Sequence, residues 1–369
     1  MSSPRQFRAA IIGTGGIAHA HAHALSDLGE RVTLVAVADV DPVRAAEFAE
    51  QFGASRVYAD AEELLRSESV DLVHICTPPQ THATLAELAV RAGAVPLVEK
   101  PTALSLGEMT ALEAASAESG LPILTVYQHR FGGAGVLLRR LASEGLLGRP
   151  LVASCDTQWY RSDDYFDVPW RGRWDVEGGG PTMGHGIHQF DLLLAILGPW
   201  AEVSGLAARQ ARPTDTEDVS VAIARFENGA LATVINSLVS PREESRLRFD
   251  FEYATVEVEH LYGYRLENWR FTPAPGHEHL DALWKVDGDD PESSHGLQIA
   301  AIFDALEAGV EPGVGLVEAR RTLEFAAATY ASAFRGLPVK AGELAGDDPF
   351  VTAMDGGMTP WAPVKAVLV

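Results

Sequence analysis

The chain has 369 residues, a formal net charge of −22 and 47% apolar residues. Its length suggests two domains, with enough apolar content for a full core. The acidic balance argues against a nucleic-acid partner, which needs a basic face, and no apolar run approaches membrane-spanning length. Cys76 and Cys155 cannot build a disulfide framework, and neither sits in a metal-type pair. The first residues, Met-Ser-Ser-Pro-Arg-Gln-Phe-Arg, lead into a strand without the apolar core of a signal peptide. A cytoplasmic location is therefore the default expectation.

The first predicted strand, near 8–12, runs straight into Gly13-Thr14-Gly15-Gly16-Ile17-Ala18, and a helix is expected over 17–28. Gly13 permits a tight turn, and Gly15 lets the backbone approach a pyrophosphate. Ala18 is small enough for the helix to lie close on the strand. With Thr14, Gly16 and Ile17, the helix N-terminus offers N–H groups and partial positive charge to the anion. A second strand, 32–38, ends at Asp39. That acid lies about 20 residues beyond the motif, where a carboxylate usually meets the adenosine ribose. Asp39 favours NAD because a carboxylate repels a 2′-phosphate; Arg44 nearby keeps NADP open.

Further strands are predicted near 70–76, 95–99 and 122–126, with helices at 42–52, 80–92 and 105–119. This βαβ rhythm means a doubly wound parallel sheet, whose ligands bind outside the carboxyl ends of the strands. One strand ends in Cys76-Thr77-Pro78-Pro79-Gln80-Thr81-His82, where the prolines stiffen a loop beside the cofactor. Another ends in Glu99-Lys100-Pro101. Pro101 restricts Lys100 to an extended backbone. A lysine there can hold a substrate oxygen and stabilise developing negative charge.

After residue 128 the pattern changes, and the domains are placed at 1–127 and 128–369. A helix is expected near 133–145. Period-two strands follow, with an Asn-Gly hairpin signal at Glu227-Asn228-Gly229. Leu247, Phe249, Phe251 and Tyr253 alternate with charged residues as in a half-buried antiparallel strand. Helices are expected near 295–308 and 316–335, and the tail from Gly342 reads as an extended surface arm.

The second domain also carries Trp170-Arg171-Gly172-Arg173-Trp174, Gly178-Gly179-Gly180-Pro181 and Met183-Gly184-His185-Gly186-Ile187-His188-Gln189-Phe190-Asp191. The glycines would let backbone come close to a ligand. His188 is expected in the first turn of a helix, where the dipole favours the neutral ring and so a base near pH 7. Asp191 is spaced to reach back to His188. His185, Arg130, Trp170 and Arg171 are further candidate substrate contacts, since aromatic faces suit sugar C–H surfaces and arginine suits hydroxyls or acids. His19 and His23 have i, i+4 spacing, but no third ligand is evident and no metal is expected.

Taken in order, Gly13-x-Gly15-x-x-Ala18, Cys76-Thr-Pro-Pro-x-x-His82, Glu99-Lys-Pro101 and Gly178-Gly-Gly with Gly186-Ile-His188-x-x-Asp191 resemble the glucose–fructose oxidoreductase / inositol dehydrogenase (Gfo/Idh/MocA) family over nearly the whole chain. The resemblance implies a Rossmann domain followed by an α/β domain with a large, mainly antiparallel sheet that often forms subunit contacts. It therefore implies a homo-oligomer, a dimer or tetramer. It also implies NAD(P)-dependent oxidation or reduction of a sugar, polyol or related hydroxy compound. Lys100 and His188 match the family's catalytic lysine and histidine, with Thr77, Pro78, His82 and Glu99 on the cofactor side. Family dehydrogenases often carry Asp or Asn four residues before that histidine; here the position is Gly184, followed by His185. His185 is accordingly expected to share the proton transfer. The rival readings are a redox-neutral NAD-dependent glycosidase of the same fold and a non-catalytic dinucleotide- or sugar-binding regulator.

Overall fold

The computed structural model describes residues 6–286 and 288–365. Two compact units emerge from the chain's contacts. The first comprises the chain up to Ala103 together with Gly107–Val126 and His295–Arg320. The second comprises Leu104–Leu106, Tyr127–Ser294 and Arg321 onwards.

The first unit is built on six strands, β1 (Phe7–Ile12), β2 (Val32–Ala38), β3 (Arg56–Tyr58), β4 (Leu72–Ile75), β5 (Val95–Val98) and β6 (Leu124–Thr125). They pair in the order β3-β2-β1-β4-β5-β6, and every pairing is parallel. That order is the doubly wound dinucleotide-binding topology, with its crevice where the strand order reverses between β1 and β4. The helices are α1 (Gly16–Asp27), α2 (Pro42–Phe52), α3 (Ala61–Ser67), α4 (His82–Arg91) and α5 (Leu106–Ser119). The strands are buried on both faces, as parallel strands under helices must be. The sequence reading assigns neither β3 nor α3. β3 is three residues long and mostly exposed, so it carries no buried periodicity. A signal for α3 does exist: Asp60 caps it by accepting the Glu63 N–H.

The second unit holds an eight-stranded sheet of β7 (Pro150–Tyr160), β8 (Trp200–Ala208), β9 (Val219–Phe226), β10 (Leu231–Ser237), β11 (Val239–Phe251), β12 (Ala254–Glu259), β13 (Trp269–Pro273) and β14 (Val339–Lys340). The order is β13-β12-β11-β7-β10-β9-β8-β14. Only the β7–β10 pairing is parallel. The predicted Asn-Gly turn joins β9 to β10. One face of β9 and β10 is buried through Ala222, Ala224, Ala232 and Val234, and the other leaves Ile223 and Leu231 exposed. Three helices precede the later strands or lie between them: α6 (Gly133–Ser143), α7 (Trp174–Glu177) and α8 (Ile187–Leu197), the last entered from a π-helical turn over Thr182–Gly186.

The chain then runs into α9 (His295–Ala308), α10 (Leu316–Arg335) and α11 (Pro349–Thr352). A domain running unbroken from 128 to 369 does not describe this course. Ile299, Ile302 and Phe303 of α9 complete the first unit's core beside Phe7, Leu25 and Leu97. The apolar face of α9 is what returns the chain to that unit. The tail is not a free arm either. Phe350 is fully buried, Arg335 pairs with Asp348, and the Trp361 indole donates to the Asp215 carbonyl. Among the described residues, no helix is long and apolar enough to cross a membrane.

Candidate active site

In the first unit, the β1–α1 turn matches the phosphate-loop expectation. Gly13 has φ +86°, and a Cβ there would stand 2.8 Å from the Cys76 and Thr77 backbone, so only glycine fits. At Gly15 and Gly16 a Cβ would meet nothing within 4 Å, which leaves room for an approaching diphosphate. Ile17 is exposed at the start of α1, and Ala18 is fully buried against the sheet. Thr14 and Asp39 are joined. The Asp39 carboxylate accepts the Thr14 N–H at 2.7 Å and its hydroxyl at 2.9 Å, and also the Arg44 guanidinium at 2.6 Å. Burial raises the carboxyl's pKa, but the bonds from Arg44, the Asp41 N–H and Thr14 outweigh it and hold the pKa to about 2. A carboxylate is thus fixed at the end of β2.

Thr77 is half-buried and Pro78 exposed in the loop after β4. Lys100 is half-buried after β5, and its peptide bond to Pro101 is cis. His82 and Glu99, expected beside the cofactor, are instead buried with their polar atoms engaged inside the protein. The His82 ring nitrogens face the Pro101 carbonyl at 2.7 Å and the Thr77 carbonyl at 2.8 Å. His82 therefore lies between the two loops that carry Thr77 and Lys100, and its single N–H when neutral can donate to one of them. Glu99 Oε1 accepts from His21 Nε2 at 2.9 Å and His295 Nε2 at 3.0 Å, while its other oxygen accepts the Lys100 N–H at 3.1 Å. Burial works against the Glu99 charge, but the two histidine donors keep its pKa well below the ordinary range. His21 Nδ1 in turn meets His74 Nδ1 at 2.8 Å. His19 and His23 lie on the opposite face of α1, against the Phe52 ring. Residue-by-residue reading passes over this buried cluster because His295 lies so far along the chain. One polar side-chain atom from each of His21, Glu99 and His295 lies within 4.8 Å of the other two, and hydrogen bonds already join them.

The buried histidines set an acid limit on stability. Burial lowers the ring pKa of His21, His74 and His82. Below about pH 6.5 the unfolded chain takes up protons that these folded rings refuse, so stability falls as pH falls. Asp39 and Glu99 have depressed pKa values; their contribution is whole above about pH 5 and is lost progressively as the pH falls below that, for Asp39 down to about 2. The expected result is a melting temperature that declines from pH 7 to pH 5 and drops more steeply below pH 4, read by calorimetry. A flat profile between pH 7 and pH 5 would contradict the first half.

In the second unit, His188 lies in the first turn of α8 and is 6% exposed. Its ring lies edge-on to His129 at 5.6 Å and to Tyr262 at 5.9 Å between centroids. His185 is half-buried in the π-helical turn, edge-on to Trp159 at 5.1 Å and 6.1 Å from Tyr165. Trp159 and Tyr262 are themselves neighbours, so both histidines share one aromatic cluster. No sequence signal marks His129, Trp159 or Tyr262 as members. Arg171 stacks over Trp170 at 4.3 Å and over Tyr165 at 4.0 Å.

Three expectations need correction here. Arg130 is not available to a substrate in the way expected, because its guanidinium makes a bidentate, buried pair with Asp191 at 2.7 Å. Asp191 does not reach back to His188; it is committed to Arg130 and to the Thr322 hydroxyl. The triple glycine lets the protein's own backbone, rather than a ligand, come close. A Cβ on Gly179 would overlap the Tyr330 hydroxyl, and one on Gly180 the Glu217 carbonyl oxygen. Buried Glu217 staples this loop, accepting the Gly180 N–H at 2.9 Å, the Thr182 N–H at 3.1 Å and the Tyr330 hydroxyl at 2.8 Å.

Residues 7–128 match the family model described as an oxidoreductase family with an NAD-binding Rossmann fold, and residues 136–257 match the Gfo/Idh/MocA C-terminal domain. The chain belongs to the Gfo/Idh/MocA family. This Gfo/Idh/MocA chain is 28% identical over 372 residues to D-apiose dehydrogenase of Paraburkholderia graminis, covering 96% of this chain and 94% of that protein. It is 27% identical to myo-inositol 2-dehydrogenase of Thermotoga maritima, over 62% of this chain and 68% of that one. Among solved structures, the WlbA dehydrogenase from Bordetella pertussis in complex with NADH and UDP-GlcNAcA superposes with a TM-score of 0.79 at 25% identity, covering 91% of this chain and 99% of that one. The Gfo/Idh/MocA assignment makes the chain an NAD-binding oxidoreductase acting on CH–OH groups.

Proposed function

We propose that the chain is a sugar or polyol dehydrogenase in which Lys100 holds the reacting oxygen and His188 exchanges its proton as hydride moves to or from nicotinamide C4. The full-length similarity to D-apiose dehydrogenase and the inositol dehydrogenase relative support the substrate class. The observation that carries the lysine's role is its place two residues after β5, at the carboxyl edge of a parallel sheet whose β1–α1 turn is open to a diphosphate. His185 assists from the same aromatic cluster as His188, one residue after Gly184, the position where relatives carry an acid. Trp170 and Arg171 supply a stacked aromatic and cationic surface for a hydroxylated ligand. Homo-oligomerisation is part of the proposal, supported by the exposed apolar residues Ile223 and Leu231 on the open sheet face.

The test is a panel of D-apiose, myo-inositol, glucosides and sugar acids with NAD+, followed at NADH absorbance. NADH formation with a panel member supports the reading. Glycoside cleavage without net NADH favours the redox-neutral rival, and NADH binding without any turnover favours a regulator. Cofactor choice is tested separately. Asp39→Ala removes the fixed carboxylate and releases Arg44, so NADH should bind roughly tenfold more weakly and the NADPH/NADH affinity ratio should rise. Fluorescence titration measures both, and an unchanged ratio would remove Asp39 from ribose recognition.

A further inference from the structure

We propose that His21, Glu99 and His295 form a buried clamp that positions Lys100, with Glu99 as the positioning residue at its centre. The inference rests on the lysine's role proposed above.

The clamp draws on three distant parts of the first unit: α1, the end of β5 and the first residue of α9. Glu99 is 4% exposed, His21 fully buried and His295 8% exposed. An ionised carboxylate in such a place must be matched by donors on its lone pairs. Here both Nε2–H groups converge on Oε1, which fixes the side chain and leaves Oε2 for the Lys100 N–H. His21 then accepts on Nδ1 from His74, which fixes its tautomer. On the far side of Lys100, His82 holds the Pro101 carbonyl. The peptide that carries the lysine is therefore gripped on both sides at the end of β5.

Packing alone does not account for this set. Apolar side chains of similar volume would fill the space without the cost of burying a charge. What the polar set adds is direction: it fixes one N–H at the root of a long, flexible side chain. A displacement of about 1 Å at a reacting group costs on the order of 10²-fold in rate, so a restrained root has a direct use.

The experiment uses the full chain with its lysines (Lys100, Lys285, Lys340 and Lys365) converted to 13C-dimethyllysine. The Lys100 resonance is identified by its loss in Lys100→Arg. His295→Leu removes one donor to Glu99, whereas His295→Gln keeps an N–H near the same place. In His295→Leu the Lys100 resonance should shift while the other three stay, and His295→Gln should restore it. Glu99→Gln should shift the same resonance, and it serves if His295→Leu does not fold. An unmoved Lys100 resonance in His295→Leu and Glu99→Gln, with cooperative unfolding retained, overturns the clamp. A common shift of all four resonances also overturns it, since that marks a general packing role. Full turnover by Lys100→Ala would refute the lysine's chemistry while leaving the resonance result to stand on its own.

Discussion

Replacing His188 by alanine should lower kcat about 10²- to 10⁴-fold, the range for losing a positioned acid–base group, and leave the NADH dissociation constant within about twofold. The asymmetry follows from where the residue sits. His188 belongs to the second unit, packed edge-on against His129 and Tyr262, whereas the open glycine turn and Asp39 belong to the first. Lys100→Met should show the same split for turnover, because its amine is proposed to hold the oxygen that carries charge in the transition state. The measurements are steady-state kinetics with the most active panel substrate and NADH fluorescence titration. His188→Gln separates shape from chemistry: glutamine can occupy the site but does not relay a proton at neutral pH. Near-wild-type kcat in His188→Gln would show that the histidine only packs. Parallel loss of turnover, cofactor binding and thermal stability in His188→Ala would show the same.

Gly180→Ala should destabilise the second unit by about 3 kcal/mol or more, near the top of the range for overpacking. The added methyl would overlap the Glu217 carbonyl oxygen, a backbone atom that no rotamer change can move aside. Relief requires the loop to withdraw, which breaks the hydrogen bonds from Gly180, Thr182 and Tyr330 to the buried Glu217 carboxylate. Burial already pushes the Glu217 pKa up, so losing donors leaves its charge still less supported. Gly184→Ala is the control. A Cβ there meets nothing within 4 Å, and the cost should stay within about 0.5 kcal/mol. Urea unfolding of the two variants decides the matter; equal stability would mean that the loop adapts.

These two cases also show what the sequence does and does not disclose. The β1–α1 turn is legible because its constraint is local: Gly13, the following helix and the acid at Asp39 are near neighbours in sequence or at a characteristic spacing. The long helices and the antiparallel strands are legible because their periodicity is carried by burial on one face, and α9 and α10 fall at 295–308 and 316–335 as expected. The Gly178-Gly-Gly stretch is visible as a motif, but its reason is not. That reason is the approach of Glu217 and Tyr330, which lie far along the chain. Arg130 and Asp191 mislead for the same cause. Each looks like a free functional group until the fold brings them together. His82 and Glu99 sit where a cofactor residue would be expected, yet their hydrogen bonds run inward. Charge, spacing and residue type locate the edge of the sheet; only the partners tell which side chains remain outward.

The return of α9 has a consequence for biosynthesis. A ribosome that has released the first 126 residues has delivered every strand of the parallel sheet but none of Ile299, Ile302 or Phe303, nor the imidazole of His295. The part translated first is therefore completed late, and an apolar flank waits uncovered while residues 127–294 of the second unit are being made. Nascent chains stalled before residue 295 should engage chaperones and yield to protease, whereas those extended past α9 should resist.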